Sequence, residues 1–164
     1  MITVRLDKAK HNRDQFDCGV VVLNNYLKTM ASQQAQKDNT RTFVLEDETY
    51  ASVIIGFYTL TMISVDLKNL PEKLQEKHHT ANTAGLIARL AVDKRYTGKG
   101  FGELLLIDAL KRLLEASELV AFPLVVVDAK DGAIGFYEKF GFTSFIDSLN
   151  KLYLTINDIR VSIE

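Results

Sequence analysis

Few residues in this sequence are placed to do chemistry, and the most suggestive are the glycines of Arg95-Tyr96-Thr97-Gly98-Lys99-Gly100-Phe101-Gly102. The run lies between an apolar stretch, 86–92, and a leucine-rich stretch, 103–114, so it reads as a turn leading from a strand into a helix. A helix that starts there offers unpaired backbone N–H groups and the positive end of its dipole, which together bind an anion such as phosphate. The spacing Arg95-x-x-Gly98-x-Gly100 lacks the closing Lys-Ser/Thr of a P-loop, and Gly102 comes one residue too early for a dinucleotide fingerprint. Alone, the pattern is equally that of a surface turn capping a helix. A second run, Phe136-Tyr137-Glu138-Lys139-Phe140-Gly141-Phe142, is by itself consistent with aromatic packing of a short helix. The lone Cys18 has no histidine placed near it by sequence and reads as a small packing residue. His78 and His79 stand in a polar stretch without a Cys or carboxylate cluster, so no metal site is expected.

Elements to hold these residues follow from periodicity. Residues 2–6 alternate as a half-buried strand. Asp17 reads as an N-cap for a helix with Val20, Leu23, Leu27 and Met30 on one face, running with a bend or break to about Lys37. Residues 40–45 and 51–65 read as strands, the second apolar on both faces and bulged at Gly56. Residues 67–83 are a short surface helix or a loop. Strand 85–92, the glycine turn and helix 103–114 follow, with Leu106, Leu110 and Leu113 on one face. Then come strand 124–127, helix 132–140 ending at Gly141, and a hairpin of 143–146 with 151–156. The expected class is α/β.

At 164 residues the chain is expected to be one domain, and 47% hydrophobic residues exclude a disordered chain. The net charge of −1 gives no global attraction to nucleic acid or acidic membrane, so any such contact needs a local patch. Lys8, Lys10, His11 and Arg13 form one cluster, read chiefly as a solvated loop. A single cysteine excludes an internal disulfide and fits a cytoplasmic location. Residues 1–15 do not read as a secretory signal, and no run reaches membrane-spanning length.

The glycine turn and the aromatic run, taken together and in this element order, resemble the GNAT superfamily of N-acetyltransferases. The resemblance covers residues 3 to about 156. It implies a mixed central sheet of about six to seven strands, splayed at an acetyl-CoA gap and flanked by about four helices, in a single acetyltransferase domain over 1–164. It also implies that Gly98, Gly100 and Gly102, with Arg95, Lys99 and Phe101, grip the cofactor pyrophosphate. Leu90, Ala91 and Val92 would offer backbone groups to the pantetheine arm, with Ala133 and Phe136 beside it. Tyr137 would give its proton to the leaving thiolate, and a backbone N–H near Val92 would polarise the thioester carbonyl. No metal is implied. Many relatives carry a glutamate on the strand before the turn, whereas 85–92 holds only Arg89 as an ionisable residue. That departure favours an amine of low pKa, with Asp93, Asp128 or a water chain as the remaining bases. Lys130, in Asp128-Ala129-Lys130-Asp131, replaces the family's frequent asparagine seven residues before the tyrosine.

Further segments are similar to the GNAT toxins of bacterial toxin–antitoxin modules. Besides the aromatic run 136–142, these are Phe16-Asp17-Cys18-Gly19, Leu23-Asn24-Asn25-Tyr26-Leu27, Gly56-Phe57-Tyr58-Thr59-Leu60, 88–96 and 125–131. The similarity implies acetylation of the α-amine of an aminoacyl-tRNA, with Arg89, Lys94 and Lys37 toward the substrate. It also implies a ribbon-helix-helix antitoxin and a homodimer, for which Val21 and Val22 are interface candidates. Acetyl transfer to a protein or small-molecule amine, or an acetyl-CoA-binding module without catalysis, stays open.

Overall fold

The computed structural model describes residues 1–130 and 132–163. Asp131, from the motif at 128–131, and Glu164 lie outside the described residues. The chain forms a mixed sheet of seven strands in the order β1-β2-β3-β4-β5-β7-β6. It divides into two compact units, Met1–Thr61 with Ala88–Ala109, and Met62–Ile87 with Leu110–Glu164.

The first unit contains β1 (Val4–Arg5), α1 (Val21–Asn25), a π-helical turn (Tyr26–Met30), α2 (Ala31–Gln36), β2 (Arg41–Glu46) and most of β3 (Ile54–Ser64). β1 pairs antiparallel with β2, and β2 with β3. The expected helix to about Lys37 is therefore one run with a wider turn in the middle. It begins later than the Asp17 cap predicts. Gly19, at φ +85°, puts a turn between them, and Val20 takes the N-cap position. The expected bulge in β3 is also present, as a register shift at Leu45/Glu46, opposite Gly56 and Ile54. A Cβ on Gly56 would stand 2.6 Å from Leu105 Cδ1 and 2.8 Å from the Ala91 carbonyl, so this strand must carry glycine to lie so close to its neighbours. The unit's core is built on Phe16, Leu27, Val44, Ile54 and Phe57.

The second unit holds α3 (Glu72–Lys77), the start of β4 (Thr83–Val92), the end of α4 (Phe101–Leu119), β5 (Leu124–Asp128), α5 (Ile134–Glu138), β6 (Thr143–Phe145), β7 (Ser148–Thr155) and α6 (Ile156–Ile163). The polar interlude resolves into a 3₁₀ turn, Leu67–Asn69, and α3. β4 runs parallel to β5, from Ala84 opposite Leu124 to Ile87 opposite Val127, and then continues to Val92. β7 lies antiparallel to both β5 and β6, so the expected hairpin forms. Leu70, Leu124, Val126 and Phe145 anchor this unit's core. Helix α6 has no counterpart in the sequence reading: its first residue follows β7 directly, and Ile156 and Ile159 bury one face.

Candidate active site

The chain turns sharply where β4 ends. The Asp93 N–H donates to the Ile55 carbonyl of β3 at 2.8 Å. Lys94–Tyr96 then form a 3₁₀ turn, and the Asp93 carboxylate caps it by accepting from the Arg95 N–H at 2.9 Å. The Arg95 side chain closes back onto the same carboxylate, with Nε 3.0 Å from Oδ1 and Nη2 3.0 Å from Oδ2. The Asp17 N–H donates to Oδ2 from the other side at 3.0 Å. Burial works to raise the Asp93 pKa, but these bonds outweigh it and hold the carboxyl below its ordinary value. Asp93 is among the expected bases, and here the geometry corrects the expectation. A buried, ionised carboxylate committed to Arg95 and Asp17 has little affinity for a further proton.

Asp17 belongs to the same cluster. Its Oδ1 accepts from the Gly19 N–H at 2.8 Å and from Asn24 Nδ2 at 3.0 Å, and Lys94 Nζ lies 2.9 Å from Oδ2. The Lys94 bond, first, and the other two hold the Asp17 carboxyl far below its usual range. Lys94, expected to face substrate, thus has its charge balanced within the chain.

Beyond the 3₁₀ turn, Gly98 and Gly100 adopt φ +77° and +82°, a conformation costly for residues with a Cβ. Beyond the adjoining residues of the chain, no atom lies within 4 Å of the place a Cβ would take at either. The 19-residue helix α4 starts at Phe101, so the N–H groups of its first turn have no acceptor within the helix. The result is an open backbone cradle at the positive end of a long dipole, which fits an anionic diphosphate. Tyr96 braces it, donating from its hydroxyl to Asp47 Oδ2 at 2.8 Å and meeting the Phe101 ring edge-on at 6.1 Å. Lys99 Nζ stands 5.7 Å from the Tyr96 ring centroid. Gly102, in the first turn of α4, is half-buried.

Leu90 and Val92 on β4 are half-buried and Ala91 is buried. Arg89, just before them, places its guanidinium 3.7 Å from the centroid of Tyr26 in the π-helical turn, while Tyr26 Oη shares a hydrogen bond with Thr40 Oγ1 at 3.1 Å. Lys37 is exposed at the end of α2. The first unit therefore holds the glycine turn, Leu90–Val92, Arg89, Lys94 and Lys37.

Tyr137 lies in the second unit, on α5, with Ala133 at the N-cap and Phe136 beside it. Its ring meets Phe136 edge-on at 5.1 Å and Phe142 at 5.6 Å. Only 8% of Tyr137 is exposed, and burial pushes its phenol above the ordinary value. It therefore stays protonated through neutral pH. Gly141, at φ +93°, ends this segment as the sequence predicts. Asp128 and Lys130 are exposed.

The remaining candidates are structural. His11 is buried: its Nδ1 accepts from the Asp7 N–H at 3.0 Å, which leaves Nε2 to donate to Glu46 at 2.8 Å. Lys10 pairs with the same Glu46, and Arg13 Nη1 donates to the Lys28 carbonyl, so the N-terminal basic cluster is largely spent on the chain itself. Burial pushes the Cys18 thiol up, away from nucleophilic use. Among the described residues there is no metal-binding group, and no helix is long and apolar enough to cross a membrane. Sequence reasoning missed the roles of Asp17, Asp47 and Asp93; only the position of Asp93 directly before the turn hinted at one.

The sequence pattern of the acetyltransferase (GNAT) family matches residues 10–142. The chain is 31% identical to a tRNA-acetylating toxin of Mycobacterium tuberculosis, over 90% of this chain and 88% of that protein. The solved structure of AtaT complexed with acetyl-methionyl-tRNAfMet aligns at a TM-score of 0.88 and 26% identity, covering 99% of this chain and 98% of that one. AtaTR bound with AcCoA aligns at a TM-score of 0.82 and 25% identity, covering 99% and 97%.

Proposed function

Because this chain belongs to the GNAT family of acetyltransferases, we propose that it moves an acetyl group from acetyl-CoA to the α-amine of an aminoacyl-tRNA and so blocks translation, as the toxin of a toxin–antitoxin module. The observation that carries the acceptor is the likeness to a tRNA-acetylating toxin along nine-tenths of the chain.

Acetyl-CoA supplies a thioester whose carbonyl carbon accepts an amine and whose sulfur leaves. The cradle of Gly98, Gly100 and Gly102 holds the diphosphate with backbone N–H groups, while Arg95 and Lys99 add charge. The half-buried end of β4, Leu90 to Val92, offers backbone groups to the pantetheine arm as an added strand would. A backbone N–H near Val92 polarises the carbonyl oxygen. Tyr137, protonated at neutral pH, gives its phenolic proton to the departing sulfur; the proton that the amine nitrogen sheds as the amide forms passes to water, from which the phenol is reprotonated. The strand before the turn carries no carboxylate and Asp93 is committed elsewhere. An α-amine, with a reference pKa of about 7.7 to 8.0, needs a base far less than a lysine at about 10.4.

The same reading makes 1–164 a single working domain; β3, β4 and α4 each run through both units. It places the protein in the cytoplasm, as a homodimer that buries the exposed Val21 and Val22, partnered by a ribbon-helix-helix antitoxin. A protein or small-molecule amine is the second reading. It is favoured by the net charge of −1 and by the pairing of Lys94 with Asp17, since tRNA binding draws on phosphate neutralisation. Incubation with radiolabelled acetyl-CoA, charged total tRNA, protein and polyamines separates the two. Label on aminoacyl-tRNA is the expected result, and label confined to protein or polyamine overturns it.

A further inference from the structure

We propose that Asp93 is the positioning residue of the anion-binding turn, setting the Arg95 guanidinium for a diphosphate that Asp93 itself never touches. The inference rests on the acetyl-CoA reading above. Asp93 joins three segments at one point: β3 through its own N–H to Ile55, the loop before α1 through the Asp17 N–H, and the 3₁₀ turn through the Arg95 N–H. Its bonds to Arg95 Nε and Nη2 are two parallel contacts of 3.0 Å, which fix the plane of the guanidinium as well as its position. Two of the five guanidinium donors are used in this way. The other three stay available among the described residues, and the side chain is half-exposed.

A carboxylate beside an anion site is unfavourable by Coulomb's law unless its charge is spent elsewhere. Asp93 meets that condition. Its side chain is 1% exposed, and its oxygens are taken by Arg95 and by two backbone N–H groups. The exposed Lys99 is left as the cation nearest the cradle without a carboxylate partner among the described residues. Arg95 therefore contributes a fixed fork of donors more than free charge.

The test compares two acetyl donors in the full chain with one acceptor: acetyl-CoA, and acetyl-pantetheine, which lacks the diphosphate. In Asp93→Asn the ratio of kcat/KM for acetyl-CoA over acetyl-pantetheine should fall about ten-fold, through KM for acetyl-CoA rather than kcat. Arg95→Lys keeps the charge and Asp93 but loses the fork, and should lower the ratio similarly; the double variant should add little to either. An equal loss with both donors would make Asp93 a structural support only and overturn the inference. So would an unchanged ratio in Arg95→Lys, which also carries the test should Asp93→Asn fail to fold. The acetyl-CoA reading fails separately, and first, if the parent protein shows no acetyl-CoA binding by calorimetry.

Discussion

The loop from Asp93 to Gly102 and the short helix around Tyr137 are built in opposite ways. In the loop, Asp93 and Arg95 are bonded to each other, and beyond the chain neighbours nothing lies within 4 Å of where a Cβ would stand on Gly98 or Gly100, the open setting proposed above for the diphosphate. On the helix, Tyr137 meets the rings of Phe136 and Phe142 edge-on, and burial is the cause of its raised pKa, which suits the proton donor proposed above. The proposed cofactor turn is open and lined by glycine, whereas the proposed proton donor is shut away from water. Affinity and turnover should therefore be separable by mutation.

The sharpest break is Tyr137→Phe. Removing one hydroxyl should lower kcat by about a hundred- to ten-thousand-fold while acetyl-CoA affinity stays within about two-fold. Steady-state kinetics beside calorimetry would show it, and unchanged turnover would remove Tyr137 from the proton step. Gly100→Arg should do the reverse to the other region. It places a side chain at φ +82° and fills the open cradle, so acetyl-CoA affinity should fall on the order of a hundred-fold. Normal binding heat would show that the diphosphate lies elsewhere. The smallest effect is in pH dependence. Burial raises the Tyr137 pKa above the reference of about 10 by disfavouring the phenolate, so the acid stays protonated as pH rises. Between about pH 7 and 9, kcat should show no alkaline fall that Tyr137→Phe abolishes. A fall within that window would mean the phenol is ionising early, against its apolar packing.

The two regions also differ in how far the sequence reveals them. Gly98, Gly100 and Tyr137 stand in short runs whose local pattern is informative, because a positive φ and a helix end are properties of neighbouring residues. The cluster of Asp17, Lys94, Asp93 and Arg95 is not of that kind. Asp17 and Asp93 meet across 76 positions of chain, and nothing in periodicity brings them together. Asp17 reads as a helix cap, but its carboxylate bonds to the Gly19 N–H in the turn before α1, to Asn24 within α1 and to Lys94 in the distant 3₁₀ turn. His11 has the sequence setting of a solvated cation but is buried against Glu46. Strands β3 and β4 are legible because they are long and largely apolar, and β5 because it is an unbroken apolar run, whereas β1 keeps only two residues of its expected five and α6 starts without a turn signal after β7.

The wider turn at Tyr26–Met30 has a consequence for lineage as well as shape. A π-helical turn is what one inserted residue looks like once a helix has absorbed it. Deleting a residue from this span would restore a regular helix but rotate everything after it by about 100°. Ala31, now fully buried, would leave the core. Tyr26, on which Arg89 rests, would keep its place on the near side of the cut only if the deletion fell after it. The extra residue therefore serves as a phase marker: relatives that share it share the setting of this helix, and those that lack it must be aligned with a single-residue gap here.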